Sequence, residues 1–237
     1  MNNDVPRGKV EGLPVWGADI RVLPSGAPKK LVDAYRAIEI ACLEIERSVA
    51  ILHVLRMQKG NFVTIINESH LPRIMTTLNS SLTRDLIVSV SRLFDDDCRS
   101  THIRRAAEVV ISCEYSDILL LNSLEKGTVQ AEWMARKLKL QRFINRIKND
   151  KYRDSLKKIR KFRQQKVAHF NTRPIIQEAI YLDIENLLLI SSQLIKYCCL
   201  YVEGKYIPID SLSRRAMCDA QRLIDCIHTG IARTSAK

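Results

Sequence analysis

Arg163 and His169 stand at the two ends of the run Arg163-Gln164-Gln165-Lys166-Val167-Ala168-His169, which closes a basic segment. Both residue types serve phosphate chemistry. Arg is a permanent cation whose planar donors match phosphate oxygens. His exchanges a proton near neutral pH. The segment from Arg136 to Lys166 holds 14 Lys and Arg against two Asp, Asp150 and Asp154, a local excess of 14 − 2 = +12. The whole chain carries the same net charge of +12, so the remainder is balanced, with 38 − 14 = 24 basic and 26 − 2 = 24 acidic residues.

The spacing predicts a helix over residues 152–170. At 100° per residue, Tyr152, Leu156, Ile159, Val167 and Phe170 form one apolar stripe. Arg163 falls within that stripe, while Lys157, Lys158, Arg160 and Lys161 are expected on the solvent side. An inward Arg is costly unless it is paired or faces a wet cavity. His169 is expected roughly 120° around and about 9 Å further along, bordering the stripe. The two groups could converge on one phosphate if the helix ends near Ala168, or if a second copy packs against the first. A structural explanation also exists. Arg163 could be a buried ion-pair partner, and His169 a helix-end residue facing the dipole. The Lys/Arg run itself is either a solvated face or a groove that tracks a nucleic-acid backbone with salt-sensitive affinity. Only Tyr152 and Phe162 interleave it near its end, so base stacking is not indicated.

Other candidates are weaker. Arg92 lies near the edge of an apolar face formed by Leu82, Leu86, Val90 and Leu93, with Asp85 and Ser89 on its side and Asp96 at i+4. A helix-internal ion pair explains it, and a second phosphate ligand beside Arg163 is the functional alternative. Asp95-Asp96-Asp97 reads as a solvated helix end, because adjacent carboxylates rarely converge on one hard cation. No metal site and no cofactor are expected. His53 and His70 fall within helical stretches, and His102 and His228 have no partner in sequence.

The elements that would position these residues are helical. Aromatic residues make up 6% of the chain, Gly and Pro are scarce beyond the N-terminus, and long segments carry helix periodicity. Residues 1–27 read as an irregular arm, with Val15 and Trp16 available to pack on the body. Residues 28–237 read as one all-α domain. Pro28 opens a helix over Leu31–Gln58 as a first-turn proline. A second helix runs from Phe62 to Phe94, interrupted near Pro72. Helices follow over His102–Ile111, Val129–Ile147, Tyr152–His169, Pro174–Tyr201 and Ser211–Ile231. Sheet is limited to at most a short ribbon near Tyr201–Ile207. Long antiparallel helices of this kind make a bundle with extra helices. A pI near 9.5 points to an acidic partner, with nucleic acid foremost. No uncharged apolar run approaches the roughly 18 residues of a membrane span, and the first residues lack a signal-peptide core. Seven scattered cysteines without a C-x-x-C pair fit reduced thiols in a cytoplasm.

An Arg, a polar residue, a short spacer and a His near a helix end resemble the HEPN superfamily of helical-bundle domains, many of them metal-independent RNA-cleaving enzymes. Arg163 and His169 match that pattern with five residues between them, and Gln164 fills the polar position. The Ala168-His169 pair and Ser91-Arg92-Leu93-Phe94-Asp95 look more specifically like the abortive-infection (AbiU-like) branch. The resemblance implies an HEPN-like bundle with its site at a homodimer interface. It implies that Arg163 holds the scissile phosphate and that His169 is general base or acid. Gln164, Lys166, Arg92, Lys157 and Lys161 would then contact substrate. The implied function is an endoribonuclease in phage defence or a toxin, with an antitoxin or other neutralising partner. The alternative is a non-catalytic module that binds RNA, a nucleotide or a protein.

Overall fold

Leu31, Ala34, Tyr35, Ile38, Ala41, Cys42, Ile45, Leu52 and Leu55 recur at steps of three, four or seven residues, and all are buried. That spacing makes one inward stripe on a helix. It forms α1, Lys29–Met57. The computed structural model describes residues 26–57, 72–94, 102–122, 130–149, 152–164, 178–204 and 209–235. Among these the chain is helical without a strand, continuing as α2 (Pro72–Leu93), α3 (Ile103–Ser112), α4 (Tyr115–Asn122), α5 (Gln130–Asn149), α6 (Tyr152–Phe162), α7 (Glu178–Glu203) and α8 (Ile209–Ser235). None of these helices is long and apolar enough to cross a membrane.

Helix α7 is the hub. It packs against α1, α2, α3, α4, α5 and α6. Its buried residues, among them Ile184, Leu187, Leu188, Leu194, Ile195, Cys198 and Val202, leave little of its circumference to solvent. The helix stops at Gly204, whose φ of +69° closes the last turn with a bond from its N–H to the Leu200 carbonyl. Gly suits that left-handed position because it has no Cβ. Here an added Cβ would also meet the Arg136 guanidinium at 2.8 Å. Helix α1 packs along α8, α3, α2 and α7. Among the described side chains of α2, the deeply buried Leu86, Ile87, Val90 and Leu93 lie in its C-terminal half.

Several boundaries differ from the sequence reading. Pro28 is not a first-turn residue: its carbonyl accepts from Leu31 and Val32, so it caps the helix. Helix α4 was not anticipated, because its eight residues are too few to show a period. The basic helix is regular only to Phe162, and its backbone widens into a π turn across Arg163 and Gln164. Near Tyr201 the chain is still helix. The arm with Val15 and Trp16, the segment 58–71 with His70, the acidic triple Asp95–Asp97 and residues 165–177 lie outside the described residues.

The described cysteines are free thiols. Burial pushes the Cys42 thiol from its ordinary 9.0 up to about 12, and the nearby Glu39 and Glu46 add to this. Burial raises Cys198 and Cys113 as well. A maleimide applied to native protein is expected to label the exposed Cys218 and Cys226 and to spare Cys42, Cys198 and Cys199 until denaturant is added. Peptide mass spectrometry reads the pattern, and fast native labelling of Cys198 would contradict the packing. The pH dependence follows from the raised folded value. Cys42 contributes its full stability below pH 9.0, and that contribution is lost as pH rises towards about 12. The urea midpoint should therefore fall on the alkaline side of pH 9.0, and Cys42→Ala should flatten that fall.

Candidate functional site

The site is best built from α6 outward. Its inward residues are Ser155 and Ile159, with Tyr152, Leu156 and Phe162 half-buried beside them. Ile159 is fully buried, worth about 1.5–3 kcal/mol for a side chain of its size. One aliphatic anchor is little for a helix this charged. A polar clamp supplies the rest. Ser155 Oγ donates to Asp183 Oδ1 of α7 at 2.6 Å in a buried setting. The Lys158 ammonium stands 3.3 Å from Asp183 Oδ2. It is not aligned for a hydrogen bond, since Oδ2 has no bonding partner, so Lys158 acts as a nearby charge.

With the clamp set, a second face of α6 turns towards α3, α5 and the end of α2. A cavity of about 420 Å3 opens there. Four cations line it, Arg104 from α3 and Arg153, Lys157 and Arg160 from α6, together with His102. Its remaining walls are Phe94, Ile147, Tyr152, Leu156, Leu187 and Ile190. No carboxylate is among the described lining residues. Two of the cations are held in place. Arg160 donates to the Phe94 carbonyl at 2.6 Å, and Arg104 Nε donates to Glu108 Oε1 at 3.2 Å. His102 is the N-cap of α3, its Nδ1 accepting the Arg105 backbone N–H at 3.1 Å. The first turn of α3 therefore borders the cavity with its positive end.

Lys157 is the one anticipated site residue that lines this cavity. Lys161 is exposed on α6, and Gln164 is exposed in the π turn. Arg163 is half-buried in that turn. Arg92 is exposed on α2. The sequence had placed Asp85 on its side, but Asp85 pairs with Arg47 of α1. Lys166 and His169 lie outside the described residues. Lys158 is exposed as expected, while Arg160 is half-buried and does not simply face solvent. Lys158 approaches the buried Asp183, and Arg160 turns in to the Phe94 carbonyl. Of the histidines, His53 meets Gln221 at 3.4 Å. No group of three His, Cys, Asp or Glu among the described residues could hold a metal ion.

Sequence reasoning missed Arg104, Arg153, Arg160 and His102. The first helix-face signal was present: Arg153, Lys157 and Arg160 stand at i, i+4 and i+7, which is one face of a helix. Nothing local could have brought Arg104 to that face from another helix. Chemically, the arrangement gathers four cations beside an apolar wall, a setting that suits an anion.

Comparison with known proteins adds no relative: no family model matches the chain, and no curated protein or solved structure matches it significantly.

The clamp makes a graded prediction. Asp183→Ala should destabilise the fold by about 2–3 kcal/mol, since it strips a buried hydroxyl of its acceptor and removes a paired charge. Ser155→Ala should cost about 1–2 kcal/mol. Lys158→Ala should cost less than about 1 kcal/mol, because its ammonium is largely in water. Urea denaturation gives all three values, and a Lys158 effect as large as that of Asp183 would refute the assignment of the hydroxyl bond as the main tie.

Proposed function

We propose that this chain is a metal-independent endoribonuclease of the HEPN type, acting in phage defence or as a toxin. The observation that carries the reading is the placement of charge. Helices α5 and α6 pack together. Lys139, Arg142, Arg146, Arg153, Lys157 and Lys161 are exposed on them. Such a surface suits a polyanion, whose backbone phosphates release counterions when neutralised by Lys and Arg. Arg163 stands at the end of that surface, half-buried in a widened turn. Widened turns of this kind recur at functional sites.

The chemistry follows from the residue types. His169 acting as base takes the proton of a ribose 2′-hydroxyl. The 2′-oxygen forms a bond to phosphorus, and the bond from phosphorus to the 5′-oxygen breaks. The 5′-oxygen leaves with a proton supplied by an acid, giving a 2′,3′-cyclic phosphate and a 5′-hydroxyl. Arg163 offsets the charge that gathers on the phosphorane-like oxygens. Gln164, Lys166 and Arg92 are the further candidates for phosphate contacts. A homodimer would bring two Arg163–His169 pairs to one cleft around a two-fold axis. A neutralising partner and a cytoplasmic setting belong to the same reading. A second reading, a binding module that does not cut, has one observation in its favour: four cations and an apolar wall line one cavity of a size that holds a small anionic ligand.

The test is cleavage of single-stranded RNA by the purified chain in EDTA. RNA should be cut and DNA of the same sequence spared, with activity falling as salt rises. Arg163→Ala should abolish cutting and weaken binding by about 1.5–3 kcal/mol, the worth of a charge-assisted hydrogen bond. His169→Ala should abolish cutting and leave binding nearly intact. Lys161→Ala should mainly lower the salt slope, by about one unit per phosphate contact. Protein that binds RNA without cutting it, with both variants behaving like the parent, would leave the binding module as the function.

A further inference from the structure

We infer that the cavity bordered by α3, α5, α6 and α7 is a binding site for a phosphomonoester carrying a flat body of about nucleoside size. The inference rests on the cavity and not on the cleavage reading. Its first support is charge. Arg104, Arg153, Lys157 and Arg160 line one space of about 420 Å3. Like charges gathered in one space repel, and an anion entering it would relieve that repulsion. Among the described residues Arg153 and Lys157 make no ion pair that would do so. Glu108 lies on Arg104 from outside the lining and offsets one charge in part. A monoester brings a charge of roughly −1.5 to −2 near neutral pH, where a diester brings one. The surplus of cations fits the monoester better.

The second support is shape. The volume lies in the range of roughly 300–1,000 Å3 typical of small-molecule sites and far exceeds what a bare phosphate needs. Beside the cations the lining is apolar and partly aromatic, from Phe94, Tyr152, Leu156 and Leu187. A site of this kind holds an anionic head at one end and a flat, weakly polar body at the other. Third, α3 begins at the cavity with His102 as N-cap, so its positive dipole end favours the anion. Two of the four cations are held in place, Arg160 by the Phe94 carbonyl and Arg104 by Glu108. Preorganised donors lose less freedom on binding.

The same chemistry arrives either as a free mononucleotide or as the 5′-phosphate end of an RNA. Calorimetric titration of the full chain separates the two. The probes are adenosine 5′-monophosphate, adenosine, inorganic phosphate, and a hexauridylate with or without a 5′-phosphate. Saturable binding of the monophosphate, with adenosine weaker by roughly tenfold or more, supports the site. So does binding of the 5′-phosphorylated hexamer over its 5′-hydroxyl form by a similar margin. Monophosphate binding alone assigns a free nucleotide, and hexamer binding alone assigns an RNA end. Arg153→Gln and Lys157→Gln, both at exposed positions that leave the Asp183 clamp untouched, should each weaken binding several-fold. Arg215→Gln on α8 should not. Thermal melts confirm that the variants remain folded. The inference is overturned if no probe binds, or if inorganic phosphate binds as tightly as the monophosphate. It is also overturned if the two α6 variants bind like the parent, or if only an Asp95→Asn/Asp96→Asn/Asp97→Asn variant binds. The last result would mean that the chain's own acidic triple balances the cavity. None of these outcomes depends on whether RNA is cut.

Discussion

Asp183 is the only charged side chain among the buried described residues, and the orientation of the basic helix turns on it. A carboxylate inside a protein is costly unless its oxygens are bonded and its charge is met. What compensation there is comes from one side, from α6: the Ser155 hydroxyl bonds Oδ1, and the Lys158 ammonium stands near Oδ2 without a hydrogen bond. A docking face made only of Ile159 and half-buried neighbours would tolerate several rotations of α6 about its axis. The clamp allows one. Because residues on a helix are spaced by 100°, fixing Ser155 also fixes where Arg153, Lys157 and Arg160 lie.

The hub role of α7 explains why the clamp residue can be charged at all. Elsewhere α7 presents Ile, Leu, Val and Cys to helices on most sides, and this packing carries the stability. It also supplies part of the cavity wall through Leu187 and Ile190. One helix therefore provides the core, the tether of α6 and the apolar side of the cavity. The aromatic pairs near its C-terminal half, Phe143 with Tyr197 and Trp133 with Tyr201, hold α5 against it at centroid distances of 5.0 and 5.4 Å. The relative placement of α5 and α6, and so of the exposed cations on both, is set through α7.

Helicity was legible in the sequence because periodicity is a local property. The stripes of α1, α7 and the later part of α2 show directly in the order of residues. So was the concentration of positive charge, which is a matter of composition. The boundaries were less so: the Tyr152 helix reads as continuous to His169, since every residue from Phe162 to Val167 tolerates a helix. The site divided along the same line. Lys157 was within reach because its charge is visible in sequence. His102 was not, since a capping role depends on the bond from the Arg105 N–H. The Asp183 clamp links positions 28 residues apart, and a Ser and an Asp at that separation carry no signal before the fold brings them together.

The two functional readings meet along one edge of α6. Arg160 is in the cavity, and Arg163 follows it by three residues, a rise of about 4.5 Å in a regular helix. On a regular helix three residues turn through 300°, so Arg163 would project within about 60° of Arg160. The π turn advances the chain through a smaller angle per residue, and within it Arg163 is half-buried. A phosphomonoester head among Arg153, Lys157 and Arg160 would then sit one turn from the Arg163 guanidinium. If that head is the end of an RNA, the cavity sets the register of the linkages that follow it along α6. If it is a free mononucleotide, its charge would act on Arg163 across about one helical turn. In both cases the coupling runs through the rotation of α6, and hence through Asp183.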